Sequence, residues 1–338
     1  MIRNPHARPY RPRCAGLTLV ELMVATVLSL VLLTGVLTIF AGGKVTNRLQ
    51  SGLATVQENG RYALHTLVRD IRVAGFIGCA GMQPTRINIL ADVLLDSPPA
   101  DVQEMVDALI NGTVLGGGTA TSGSNPYGAV EGTDWIRIQG GRDMLAQLVG
   151  QLDPNNANIQ TTPITDGVES GDLLLISDCE SMDLFCAGNA NNNSTTVPHP
   201  ASCNSSPKLS KAYGEDAVLL KFQSYVYYVK DVAGRTNNAG GPVRSLFRRD
   251  LLGGPELELV DGIEDLQISY GVDSDLNGLV DNFVASSAMS AGDWAGVLAV
   301  RVGLVVSSVD EVLETGASAD LRLNRQMTAT ATIRNRVD

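Results

Sequence analysis

The sequence predicts an α+β protein: one long N-terminal helix, membrane-spanning in its first part, packed through its second part on an antiparallel β-sheet with large loop insertions. Three observations predict it. Residues 17–41, LTLVELMVATVLSLVLLTGVLTIFA, form an apolar run of 25 residues with one charge, Glu21. Apolar residues at helical spacing then continue to Ala74. Beyond them lie segments rich in β-branched and aromatic residues, separated by glycine and polar connections and not alternating with strong helices.

Composition sets the outer limits. A chain of 338 residues that is 44% hydrophobic can bury a full core and is not disordered. The formal charge is −11, yet residues 1–16 hold Arg3, Arg8, Arg11 and Arg13 and no acid, so the rest carries −11 − 4 = −15. A body this acidic repels phosphate backbones, so no nucleic-acid partner is expected; solubility alone accounts for the charge. Of three histidines, His6, His65 and His199, one lies in the basic leader, and no nucleophile elbow, metal triad or nucleotide loop occurs, so no enzyme is expected.

At about 1.5 Å per residue, residues 17–41 as a helix exceed a hydrocarbon core of about 30 Å. The arginines before them favour the cytoplasmic side, which places residues after about 42 on the far side. An ordinary secretory signal carries its small-residue cleavage site after the apolar segment, whereas Ala15-Gly16 comes before it. A carboxylate inside a membrane helix is costly and normally has a partner. Nothing else in the run is charged, but a cut after Gly16 would create an α-ammonium at Leu17, and a neighbouring subunit's amine could pair with Glu21 and set the register of one helix against the next. The alternative is a signal anchor whose Glu21 snorkels to the interface.

Ala15-Gly16-Leu17-Thr18-Leu19-Val20-Glu21 closely resembles the class III signal of type IV prepilins. The resemblance implies that a membrane-embedded prepilin peptidase cuts after Gly16 and methylates Leu17, with Glu21 then at the fifth mature position and serving assembly. The family most often has Phe where Leu17 stands and Ile where Val20 stands; both replacements stay apolar. It also implies a pilin-like organisation: a leader at 1–16, a transmembrane and filament-core helix at 17–42, its amphipathic continuation at 43–77, and a periplasmic globular domain at 78–338.

In the continuation, Val45, Leu49, Leu53, Val56, Ala63, Leu67, Ile71 and Ala74 recur at steps of three and four or their multiples, as one packing stripe requires. Arg48, Gln50, Gln57, Glu58, Arg61, Arg69, Asp70 and Arg72 fall between them and are assigned to the solvated face, and His65 to surface or packing. Gly52 and Gly60 each cost up to about 1 kcal/mol relative to Ala, which predicts bending or fraying there. Gly75, Gly78 and Pro84 predict a turn at 75–84.

In the body, Val102, Met105, Val106, Leu109 and Ile110 predict a short helix within 92–111, and the glycine- and serine-rich stretch 116–128 reads as a flexible loop. Strands are expected at 134–139, 173–177, 217–230, 257–260, 263–272, 298–307 and 328–334. Cys14 lies in the leader, while Cys79, Cys179, Cys186 and Cys203 lie in the body, where an oxidising compartment predicts two disulfides from three possible pairings. Cys186 and Cys203 flank the polar stretch 187–207, which suggests a surface loop closed by a local bridge and leaves Cys79 for Cys179. His199, between two prolines in that stretch, has no evident partner.

The sharpest local signal is Asp273-Ser274-Asp275-Leu276-Asn277-Gly278-Leu279-Val280-Asp281. It fits the oxygen ladder of an EF-hand-type calcium loop, with Asp273, Asp275, Asn277 and Asp281 as side-chain ligands, the Leu279 carbonyl between them and Gly278 at the sharp turn. The twelfth position, where a bidentate Glu belongs, is Val284. An Asp/Asn/Gly hairpin turn without metal explains the same residues. Calcium is the one cofactor in question.

Residues 262–271 and 294–307, Arg325 and residues 328–334, together with the aspartate loop, resemble the PilW-type minor pilins of type IV pili. The resemblance implies a minor pilin that helps start pilus assembly with other minor pilins and the major pilin and sits near the tip, passing from the inner membrane to the extracellular pilus that drives adhesion and twitching motility. A pseudopilin of a type II secretion system and a pilus-tip adhesin, using loops near 112–130 and 187–207, are the rival readings. Mass spectrometry of the mature chain should find methylated Leu17 as first residue; a chain still beginning at Met1 in cells with an active peptidase would refute the leader.

Overall fold

The computed structural model describes residues 16, 18–78, 86–156, 158–178, 180–313 and 320–336. The chain divides into two units, residues 1–51 and 52–338. Helix α1, Leu19–Arg72, begins in the first and ends in the second.

In the first unit every described residue up to Lys44 is exposed, and most of them are apolar. Its few hydroxyls are satisfied inside the helix: Thr26 donates to the Met23 carbonyl at 2.8 Å, Ser29 to Ala25 at 2.7 Å and Thr34 to Leu30 at 2.8 Å. Such back-bonding leaves hydrocarbon no bare hydroxyl to solvate, so these residues are compatible with a membrane.

In the second unit, α1 buries Val56, Gly60, Ala63, Leu67 and Ile71, a stripe at steps of four and three. Four expectations change here. Leu53 is 44% exposed, and the helix stops at Arg72 rather than reaching 77. The helix runs unbroken through Gly60, where a Cβ would lie 2.3 Å from the Met327 sulfur, so glycine lets the sheet approach. Asp70, assigned to solvent, is 1% exposed.

After the turn the chain forms strand β1, Arg86–Ile89, then two helices where one was expected, α2, Asp92–Leu95, and α3, Ala100–Ile110. Val102, Met105, Val106 and Leu109 face inward on α3, while Ile110 is exposed. Strand β2, Leu115–Thr119, replaces the first part of the expected flexible loop. Its glycines are packing residues: Cβ atoms at Gly116, Gly117 and Gly118 would meet the Arg137 guanidinium, the Tyr270 hydroxyl and the Trp135 ring. Next come β3, Asp134–Gln147, β4, Asn158–Gln160, β5, Leu173–Ser177, β6, Ser181–Cys186, and β7, Thr196–Pro198. The C-terminal part holds β8, Val218–Thr236, β9, Pro242–Asp250, β10, Glu256–Asp261, β11, Ile263–Val272, β12, Asn282–Ala285, β13, Val297–Ser307, and β14, Asn324–Thr332. The last strand thus starts four residues before the expected 328.

These strands build two main sheets rather than one. The larger has the order β1-β6-β5-β8-β3-β2, with β9 and β10 added beside the far end of β8. β8 makes this branching possible: one edge pairs along β3, the other pairs β5 at Val218–Lys221 and β9 from Tyr225 onward. All of its pairings are antiparallel; β1 with β6 is the parallel exception to the expected sheet. Successive β8 side chains enter different cores, Leu220, Phe222 and Tyr228 on one face and Leu219, Tyr227 and Val229 on the other, which is why the strand lacks apolar–polar alternation. The second sheet, β12-β11-β13-β14, meets the stripe of α1 and Ile136, Ile138 and Tyr227 of the first sheet in one core. The result is an α+β, pilin-like fold with loop insertions.

The chain leaves one sheet and enters the other at Gly262, between β10 and β11. Its N–H donates to the Arg244 carbonyl on β9 at 2.8 Å, and its carbonyl accepts from Ser307 on β13 at 2.7 Å. With φ +75° and a Cβ position 2.4 Å from the Ser307 oxygen, only glycine fits. Gly262→Ala should destabilise the body by about 2–3 kcal/mol, read from the midpoint of urea unfolding; an unchanged midpoint would show that the crossing tolerates a side chain.

Candidate functional site

The first candidate site is the start of α1. Gly16 is exposed, with nothing within 4 Å of where a Cβ would sit. Leu17 lies outside the described residues. Thr18 and Glu21 form a reciprocal cap: the Glu21 N–H donates to Thr18 Oγ1, and the Thr18 N–H and hydroxyl donate to Glu21 Oε2, each at 3.2 Å. This capping box uses the Thr-x-x-Glu spacing just before the apolar run, a signal the sequence analysis passed over. It also puts the carboxylate at the positive end of the helix dipole. Glu21 therefore has a ligand within its own chain, and its carboxylate remains exposed to a cation from outside.

The second is the aspartate hairpin between β11 and β12. Carboxylate oxygens of Asp273, Asp275 and Asp281 lie within 4.8 Å of one another. Asp273 accepts from the N–H groups of Asn277 at 3.1 Å and Gly278 at 2.7 Å, Asp281 accepts from Ser274 at 2.8 Å, and Asn277 accepts from Leu279 at 2.8 Å. Desolvation would raise the Asp273 carboxyl, but these N–H donors outweigh it and hold it below the usual carboxylate range. Val284 pairs with Tyr270 in the ladder and has no side-chain oxygen, so the twelfth position lacks its carboxylate. The side chains of Asp273, Asp275, Asn277 and Asp281 and the Leu279 carbonyl thus belong to a hairpin closed by its own hydrogen bonds, with a carboxylate face that could hold a hard cation.

Cys186 and Cys203 form a disulfide. Cys79 and Cys179 both lie outside the described residues. The segment the bridge encloses is less of a surface loop than its composition implies: Val197 on β7 is buried and pairs with Ile159 on β4, and His199 is buried too. His199 has a partner, the Asn156 carbonyl 2.9 Å from Nε2, and packs edge-on against Phe185. Burial pushes its pKa down, so the ring is a neutral packing group. His65 is exposed, as expected.

The sequence analysis missed a buried polar joint on α1. Asp70 accepts from the Tyr227 hydroxyl, from Arg142 and, at 3.0 Å, from Arg69 Nε. It ties the end of the helix to β3 and β8. Burial and the neighbouring Asp70 charge push the Tyr227 pKa up, which keeps its hydroxyl a donor at any physiological pH.

Residues 226–336 match the family of the type IV pilus-assembly protein W, and residues 11–37 match the prokaryotic N-terminal methylation motif. The first match covers β9 to β14 and most of β8, and the second brackets Gly16, Leu17 and Glu21. No curated protein and no solved structure matches the chain.

Asp273→Ala should lower the melting temperature with or without calcium, because two backbone N–H groups lose their acceptor. A depressed carboxyl stabilises the fold fully above its ordinary value of 3.8, so this contribution should decline below that value and be lost as pH falls past the lowered one. Calorimetry with added calcium separates the two readings: a rise in the parent that Asp273→Ala abolishes would establish an ion site, and identical melting with and without calcium would leave a hairpin turn.

Proposed function

We propose that this chain, a type IV minor pilin of the PilW type that takes part in pilus assembly, acts at the start of the filament as a structural subunit rather than an enzyme. A membrane-anchored helix carries it, and that helix enters the pilus. In this reading a prepilin peptidase removes residues 1–16, the helix stores the subunit in the inner membrane with its body in the periplasm, and other minor pilins and the major pilin join it before the filament leaves the cell.

The observation that carries the proposal is the contrast along α1. From Val56 on, the helix has a body to bury its stripe, whereas residues 18–44 are exposed and almost wholly apolar. That surface needs lipid before assembly and other helices after it. Glu21 then supplies register: the α-ammonium of a neighbouring subunit replaces the Thr18 donors at its carboxylate. Few copies suffice for such a role, in keeping with a body much larger than a shaft subunit's compact head.

Glu21→Gln in the native host should leave cleavage and membrane insertion intact and cut incorporation into sheared pili by about tenfold or more, read by immunoblot. Undiminished incorporation would refute the docking role. Deletion of the gene should abolish surface pili while leaving type II secretion normal; the reverse outcome would assign the chain to a secretion filament.

A further inference from the structure

An open cleft of about 740 Å³ lies where the end of α1 meets β3, β8 and β9. Arg69, Arg72, Arg142, Arg248 and Arg334 line it, from the last turn of α1, the bulge in β3 after Gly141, β9 and the segment after β14. Three carboxylates oppose them: Asp70 beneath Arg69 and Arg142, Asp143 on the rim, and Asp250, whose charge acts on Arg248. The local balance is 5 − 3 = +2 in a chain whose net charge is −11. Among the described residues, Arg72 and Arg334 take part in no ion pair or hydrogen bond, and both are exposed. Gathering guanidinium groups that repel one another is unfavourable unless an anion neutralises them.

We infer that this cleft is a docking site for an acidic peptide segment of a partner subunit. Guanidinium forks match carboxylates in a bidentate way, and those of Arg72 and Arg334 are unengaged, while Arg248 and the Asp70-paired Arg142 flank the Tyr225 ring, their carbons 4.5 and 5.5 Å from its centroid. The volume falls in the range of pockets that take an organic ligand, about 300–1,000 Å³, far more than one inorganic ion fills. Two features select a peptide. Gln223 lines the cleft with a side-chain amide, which can accept from a peptide N–H and donate to a peptide carbonyl. Val73 and Phe76 add apolar wall for the side chains between the acids. The net charge of the whole chain repels extended polyanions and anionic membranes at long range, whereas a short acidic segment feels the local field inside a Debye length of about 10 Å. The identity of the partner as another pilin rests on the proposed function; the chemistry of the site does not.

The test uses the full mature chain in uncharged detergent and a fluorescent oligoglutamate peptide, followed by anisotropy. Binding should weaken steeply with salt and fall by about tenfold or more in Arg72→Glu/Arg334→Glu, both exposed positions, with melting unchanged by circular dichroism. Arg301→Glu/Arg325→Glu, at two exposed positions outside the cleft, controls for the change in net charge. Absence of peptide binding, equal binding by the double variant, or stronger capture of polyphosphate or phosphatidylglycerol vesicles would overturn the proposal. Glu21→Gln should bind the peptide like the parent, so loss of incorporation in that variant and loss of peptide binding in the cleft variant fail independently.

Discussion

One helix must satisfy two solvents. Through residues 18–44 α1 presents apolar side chains on every side and returns its hydroxyls to its own carbonyls; from Val56 onward it offers a single stripe. The switch from the first pattern to the second is what separates anchor from body. The stripe is narrow because small residues occupy its centre: Gly60 and Ala63 let β13 and β14 come close, and Leu67 and Ile71 then fill the core. Burying those two side chains contributes roughly 1.5–3 kcal/mol each.

The rest of the body is arranged around that stripe. The four-stranded sheet covers it, the eight-stranded sheet closes the same core from Ile136, Ile138 and Tyr227, and the chain passes between the sheets at Gly262. Asp70 adds a polar joint inside this apolar seam, and three donors on its carboxylate remove the penalty of burying the charge unpaired. Asn59 makes a second joint, donating to the Asp261 carbonyl at 3.1 Å and to its Oδ1 at 3.0 Å, next to the crossing point. The helix is thus tied to both ends of the sheet system by side-chain polarity as well as by area.

Much of this was legible in the sequence, because its signals are local. The apolar run, the prepilin-like heptapeptide, the stripe, the strands near 173 and 263, and the Cys186–Cys203 bridge all depend on residues close together in the chain. What was not legible depends on residues far apart. Nothing near Asp70 announces that Tyr227 and Arg142 will meet it 157 and 72 residues away. Gly116–Gly118 read as a loop because glycine favours loops, yet here three large side chains from other strands occupy the space that side chains on β2 would need. β6 is buried along its whole length and lacks the alternation that marks a half-exposed strand. The Thr18–Glu21 cap is local too, and the Thr-x-x-Glu spacing made it readable.

That cap bears on how an external partner could be accepted. A capping side chain at a helix N-terminus is worth about 1 kcal/mol, and in the single chain the Glu21 carboxylate has this stabilisation already. For an incoming ammonium to displace Thr18 it would have to do better by a modest margin, which an ion pair at contact in low-dielectric surroundings would do, since a hydroxyl cannot neutralise the charge. Thr18 would hold the carboxylate in a defined rotamer until the exchange, so less side-chain entropy is lost on docking. Removing the hydroxyl and removing the carboxylate are then different lesions: the first loosens an oriented acceptor, the second deletes the acceptor itself.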